Sequence, residues 1–261
     1  MIKIDNPARR RLENGELALG VGVRSARGVE IAMAMKTSGY DFLFIDLEHG
    51  AMSLDVATQI SIAALGAGIA PLVRVPEGAH AMASRALDGG ALGIVMPHVE
   101  TAEEVRRIVA RQKFPPLGHR SMYASYAHVG FANTPRGETA DAINAVSLVI
   151  VMLESERGIA NAAEIATVEG VDVLMIGTGD LTAELGFQGQ PGHDTIVEAY
   201  RTVGEACARH GRWLGMGGVN SEELMGKYIA AGVRFVLAGN DLGFAMVAAE
   251  RRSSMLREFE T

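Results

Sequence analysis

The sequence predicts an α/β fold, a single-domain (β/α)8 TIM barrel, from three observations. Short apolar runs recur along the whole chain, each apolar on both faces, as strands of a parallel sheet covered on both sides are. Helix-start signals fall between these runs. The length of 261 residues suits one barrel of this kind, and no linker or low-complexity tract divides it.

The strand candidates are "LGVGV" (19–23), "FLFID" (42–46), "PLVRV" (71–75), "GIVMP" (93–97), "VIVML" (149–153), "VLMIG" (173–177), "WLGMG" (213–217) and "FVLAG" (235–239). Open doubly wound sheets use the same strand–helix unit, but eight units in one register favour closure into a barrel. Between the runs, Thr101 and Glu104 form a capping box ahead of "VRRIVARQ". Ser221, Glu222 and Glu223 open another helix that Gly232 closes. Residues 1–15 read as an N-terminal arm. Two segments break the rhythm: 113–147, a long excursion with the prolines, glycines and aromatics of a functional loop, and the Gly/Pro-rich loop 186–194.

Composition excludes several function classes. A net charge of −7 argues against a nucleic-acid partner, because phosphate binding needs clustered Lys and Arg. The one cysteine, Cys207, can make neither an internal disulfide nor a Cys-based zinc site, and reads as helix packing. No apolar stretch is long enough to span a membrane, and the first residues lack a signal-peptide core. The expectation is a cytoplasmic protein.

In such a barrel the chemistry sits at the C-terminal ends of the strands. Asp46, Glu48 and His49 follow the second strand and Arg74 ends the third. His98 follows the fourth, Glu154 the fifth, Thr178 and Asp180 the sixth, and Asn240 and Asp241 the eighth. Each has a plainer reading. Asp180 could be a helix N-cap. His49 could be a polar rim residue. Arg74 could be a structural ion-pair partner of Asp46 or Glu48. Glu154 ends an apolar run, which favours a metal or an arginine partner over a solvated face. His98, His119 and His128 carry no special spacing and read as loop residues. "GMGG" (215–218) lacks a phosphate-loop pattern. None of the four lysines lies in or just after a strand, which argues against Schiff-base chemistry. Two carboxylates with few other candidate ligands suggest a hard divalent ion, Mg²⁺ or Mn²⁺.

The stretches "FLFIDLEHG", "PLVRVPE", "LDGGALGIVMPHVETAEE", "FPPLGHRS", "VMLESERGIANAAEIATVEGVDVLMIGTGDLTAELG" and "PGHD", in this order, resemble the HpcH/HpaI aldolase family over roughly residues 16–250. The resemblance implies a class II aldolase: metal-dependent, reversible aldol addition of pyruvate or hydroxypyruvate to an aldehyde, giving a 4-hydroxy-2-oxo acid. It implies metal ligation by Glu154 and Asp180, with Mg²⁺, Mn²⁺ or Co²⁺ as the ion. It further implies His49 as catalytic base with Asp46 orienting it, Arg74 on the keto oxygen, and Gly177, Thr178 and Gly179 around the 2-oxo acid carboxylate. Homo-oligomers, hexamers built as trimers of dimers with a swapped last helix, are implied as well. The chain departs from the family pattern at Met152, where glutamine is frequent, and at Gly118–Ser121 and "MYASYAHVGF". These changes leave the residues matched to the 2-oxo acid end intact and bear on the specificity for the aldehyde and for the donor. A 2-oxo acid decarboxylase of the oxaloacetate type would use the same enolate chemistry. A CoA-ester lyase lacks an obvious basic patch, and a non-catalytic keto-acid-binding barrel would be expected to show a broken constellation.

Overall fold

The computed structural model describes residues 2–260 apart from Ala124. Eight parallel strands close into a barrel in sequence order, β1 next to β8. They are β1 (Ala18–Val23), β2 (Phe42–Asp46), β3 (Ala70–Arg74), β4 (Gly93–Met96), β5 (Leu148–Leu153), β6 (Val173–Gly177), β7 (Trp213–Gly217) and β8 (Val233–Asn240). Every apolar run of the sequence is one of them, displaced by no more than two residues at an end.

The helices are α1 (Pro7–Glu13), α2 (Glu30–Thr37), α3 (Leu54–Ala67), α4 (His80–Asp88), α5 (Ala102–Gln112), α6 (Arg136–Val146), α7 (Glu156–Ala160), α8 (Ala162–Ala166), α9 (Thr178–Glu184), α10 (Asp194–His210), α11 (Glu222–Ala230) and α12 (Asp241–Arg257). The capping box forms as expected: Thr101 Oγ1 accepts the Glu104 N–H, and Glu104 Oε2 accepts that of Thr101. Ser221 caps α11 by accepting the Leu224 N–H. Cys207 is buried in α10, and burial pushes its thiol up to about 12, so it packs as an inert hydrophobe.

Two apolar cores follow from side-chain alternation along the strands. Phe42, Phe44, Leu72, Val95, Ile150, Met152, Met175 and Phe235 fill the barrel interior. Leu43, Ile45, Val73, Ile94, Val149 and Leu174 face the helices. Phe42 and Phe235 stack at 4.3 Å across the interior. Gly20 makes room for them, since a Cβ there would overlap the Phe42 ring.

The lower end of the barrel holds both the N-terminal arm and the long excursion. The N-terminal arm is a structural plug: Ala8 and Leu12 of α1 are buried, Asn6 Nδ2 donates to the carbonyls of Leu92 and Val146, and Arg9 pairs with Asp172 at 3.0 Å. The long excursion lies at this end too. Its last third is α6, and its contacts are to residues ahead of the strands: Arg120 with Asp88, His128 Nε2 with the Ala91 carbonyl, and Lys113 Nζ with the Ser147 carbonyl. Turn chemistry suggested a functional loop there. In space the segment follows α5 back down the barrel and packs a small core of Phe114, Tyr126, Ala140 and Ile143, away from the mouth.

Candidate active site

The period of two that fills the interior also aims the polar residues. Phe42 and Phe44 point inward, so Asp46, two positions on, does too. Leu72 leads in the same way to Arg74, Met152 to Glu154 and Met175 to Gly177. Four strands thus deliver their last inward position to one layer at the barrel mouth.

Asp46 is fully buried and saturated with donors. Its Oδ1 accepts Arg74 Nε at 3.0 Å and the backbone N–H groups of Glu48 and His49 at 3.1 Å. Its Oδ2 accepts Arg74 Nη2 at 2.6 Å and Arg24 Nε at 2.9 Å. Burial opposes ionisation, but the Arg74 hydrogen bonds and charge, the His49 N–H and the Arg24 charge outweigh it, and the carboxyl titrates below its usual range. Arg74 is equally committed. It is buried, lies over the Phe44 ring at 5.3 Å, and turns Nη1 to Glu48 Oε2 at 2.9 Å. Both ion pairs considered for it from sequence are therefore formed.

Glu154 is the opposite case. It is only 3 % exposed, and among the described residues no arginine meets it. Oε2 accepts the backbone N–H of His98 at 2.9 Å, with the His98 ring Nδ1 at 3.4 Å. Oε1 is buried and, among the described residues, has no hydrogen-bond partner. Gly177 faces it, and a Cβ at that position would overlap Oε1. Burial, with further repulsion from Asp180 and Glu48, pushes the Glu154 carboxyl up to about 7 against the pull of His98. Asp180 is exposed in the first turn of α9. It is not the N-cap of that helix, which is Gly177.

The residues matched by the HpcH/HpaI aldolase/citrate lyase family model are 24–248, most of the chain. The chain belongs to this family. It is 40% identical to a 4-hydroxy-4-methyl-2-oxoglutarate aldolase of Chaetomium globosum, over 90% of this chain and 89% of that one. It is 32% identical to the 2-keto-3-deoxy-L-rhamnonate aldolase of Escherichia coli K12, over 97% and 94% of the two chains. Among solved structures, an HpcH/HpaI aldolase from Desulfitobacterium hafniense superposes with a TM-score of 0.90 at 27% identity, covering 96% of each chain. The protein is an aldolase, a carbon–carbon lyase.

In this aldolase the expected site residues arrive at one rim, with two differences in contact. Asp46 does not touch the His49 ring; it holds the His49 backbone N–H, and the ring, half exposed, has Glu48 Oε2 at 3.9 Å as its acidic neighbour. His98, read from sequence as a loop residue, stands between the carboxylates, with Nε2 3.5 Å from Glu48 and Nδ1 beside Glu154. Its backbone is left-handed (φ 53°), which turns the N–H onto Glu154. Arg24 was missed altogether. Arg24 directly follows β1 and His98 lies two residues past β4, the positional signal that singled out Glu48 and His49 after β2. The "GMGG" segment also acquires a reason: Gly218, at φ 79°, packs against the start of α9, where a Cβ would lie 2.9 Å from the Gly179 nitrogen.

The donor set fits a divalent cation. Among the described residues, no three His, Cys, Asp or Glu side chains are already grouped to hold one. Two carboxylates, one with an unpartnered buried oxygen, suit a hard ion that keeps positions for water and substrate.

Glu154 should make the metal-free aldolase pH-sensitive. The folded state binds its proton more tightly than the unfolded chain, so this group stabilises fully below about pH 4.5 and loses the contribution as pH rises through 7. Glu154→Gln should therefore raise stability at pH 8 in EDTA by on the order of 3 kcal/mol, with the gain vanishing towards pH 4.5. Urea denaturation of both proteins across this range checks it, and a pH-independent difference would refute the assignment.

Proposed function

We propose that this aldolase makes and breaks 4-hydroxy-2-oxo acids, with pyruvate or hydroxypyruvate as the 2-oxo acid. Glu154 and Asp180 hold the divalent cation it uses, Mg²⁺, Mn²⁺ or Co²⁺. The observation that carries this reading is Glu154 Oε1: buried, unpartnered, cleared by a glycine and repelled by a second carboxylate. A buried carboxylate left in that state is costly unless a cation completes it. The names of the two curated relatives also share a 2-oxo acid as the substrate.

The chemistry supplied by the cation, when bound, is Lewis acidity that lowers the cost of negative charge on the 2-oxo acid. The protein contributes the remainder. Thr178 and Gly179 open α9, so their N–H groups have no acceptor within the helix and can take the substrate carboxylate. Arg74 donates to the keto oxygen as charge develops there, already oriented by Asp46 and Glu48. His49 moves the proton between the C4 hydroxyl and solvent, an exchange suited to imidazole near neutral pH. Its half-exposed ring leaves it room to reach the partner carbonyl.

The last helix supports a homo-oligomer. No residue of α12 is buried, although it carries Leu242, Phe244, Met246, Val247, Met255 and Leu256, each substantially exposed. So long an apolar face is what a second subunit covers; we assign it to a neighbouring copy in a trimer of dimers.

Three measurements test these assignments. A retro-aldol screen of 4-hydroxy-2-oxo acids, with an oxaloacetate arm, should show pyruvate release that EDTA abolishes and added Mg²⁺ or Mn²⁺ restores; indifference to chelation would overturn the mechanism. Arg74→Lys should lower kcat by about 10²- to 10³-fold, because a point charge does not reproduce the planar fork. Retention of full kcat would remove Arg74 from the keto oxygen. Replacing both Met246 and Val247 by Glu should reduce the mass measured by light scattering to that of a smaller assembly, and an unchanged mass would free α12 from the interface.

A further inference from the structure

Arg24 directly follows β1 and is the second guanidinium on Asp46. The two arginines differ in how far they are committed. Arg74 uses Nε and Nη2 on Asp46 and Nη1 on Glu48, and is buried. Arg24 uses Nε alone, and its side chain is 43% exposed. Among the described residues, neither Nη group of Arg24 has a hydrogen-bond partner.

The backbone that carries Arg24 is held firmly. The Asp241 carboxylate accepts the N–H groups of Arg24 at 3.2 Å, Ser25 at 2.9 Å and Ala26 at 2.6 Å. Those three bonds keep the Asp241 carboxyl ionised below its usual range despite partial burial. Arg27 Nη1 returns to the Arg24 carbonyl at 2.8 Å. A tight loop and a fixed Nε together pre-orient a guanidinium whose remaining edge is unused. An edge of two N–H groups matches a carboxylate in a bidentate pair.

Its place in the barrel says which carboxylate. This step rests on the proposed function, which sets the 2-oxo acid across the mouth from β5 and β6 to Arg74 on β3. His49, after β2, then serves the carbonyl carbon that becomes or was C4. What C4 carries extends past β2 towards β1, where Arg24 stands. We propose that Arg24 binds a second carboxylate, attached to C4, and that this aldolase prefers 4-carboxy substrates, whose cleavage yields two 2-oxo acids. The chemistry balances internally: the C4 hydroxyl loses its proton, the C3–C4 bond breaks with its electron pair passing into the C2–C3 enolate, and C4 becomes a keto or aldehyde carbon bearing the carboxylate. Protonation at C3 then releases pyruvate.

Two substrates that differ in one group test it: 4-hydroxy-2-oxoglutarate, which would release glyoxylate, and 4-hydroxy-2-oxopentanoate, which would release acetaldehyde. The wild-type protein should show the higher kcat/KM on the diacid. Arg24→Met should reduce the diacid-to-monoacid ratio of kcat/KM by about 10- to 100-fold, mainly through KM. Arg24→Lys, which keeps the charge, should recover part of the ratio. Equal losses on both substrates would mean that Arg24 acts only through Asp46, and the proposal fails while the aldolase reading stands. A wild-type preference for the monoacid also overturns it. Cleavage of neither compound by the wild-type protein also overturns it, and the wider retro-aldol screen then tells whether the 4-hydroxy-2-oxo acid reading fails as well.

Discussion

The Asp46 carboxylate organises the mouth of this barrel. It is removed from water, and it tolerates that only because five donors surround it, two of them from one arginine. A buried ion pair of this kind is weak evidence for stability, because desolvation offsets much of the attraction. What it provides is position. The bidentate contact sets the plane of Arg74, the two backbone contacts shape the chain from Leu47 to His49, and the fifth donor brings Arg24 to the rim. Without Asp46, three cationic or titratable groups would lose their fixed relation to the strands.

Across the mouth, Glu154 has been given the reverse environment. The protein surrounds it with burial and with two other carboxylates, and supplies one backbone N–H from a residue in a left-handed conformation. One oxygen is left with nothing. The mouth thus holds a fully satisfied carboxylate, Asp46, and one with an oxygen that no arginine reaches, Glu154, linked through Arg74, Glu48 and His98. The first binds the protein's own cations tightly. The second keeps capacity for a cation from outside, and Gly177 preserves the space by having no side chain.

Much of this was readable in the chain. Parallel strands buried on both faces are continuous apolar runs, so all eight were visible, and the last polar residue of a run marks the mouth. Asp46, Arg74, Glu154 and Asp180 stood out for that reason. Arg24 and His98 stood in the same kind of place but after shorter or glycine-containing runs, and a lone Arg or His there has many plainer explanations. The excursion at 113–147 read as a functional loop, but turn residues report that a chain bends, not at which end of a barrel it does so. Its aromatics proved to build a small satellite core.

The sequence alone determined the barrel, the order of its units and the chemical types at its rim, because period-two alternation and helix caps are local properties that neighbouring residues settle. Only the tertiary structure decided which of those groups pair. Asp46 could have faced His49, Glu154 could have met an arginine, and Arg24 could have lain in solvent. Closure of the barrel sets the ends of β1, β3, β5 and β6 around one mouth although 130 positions separate Arg24 from Glu154 along the chain. Which donor reaches which carboxylate then depends on register and on the side chains already in place, and nothing local carries that information.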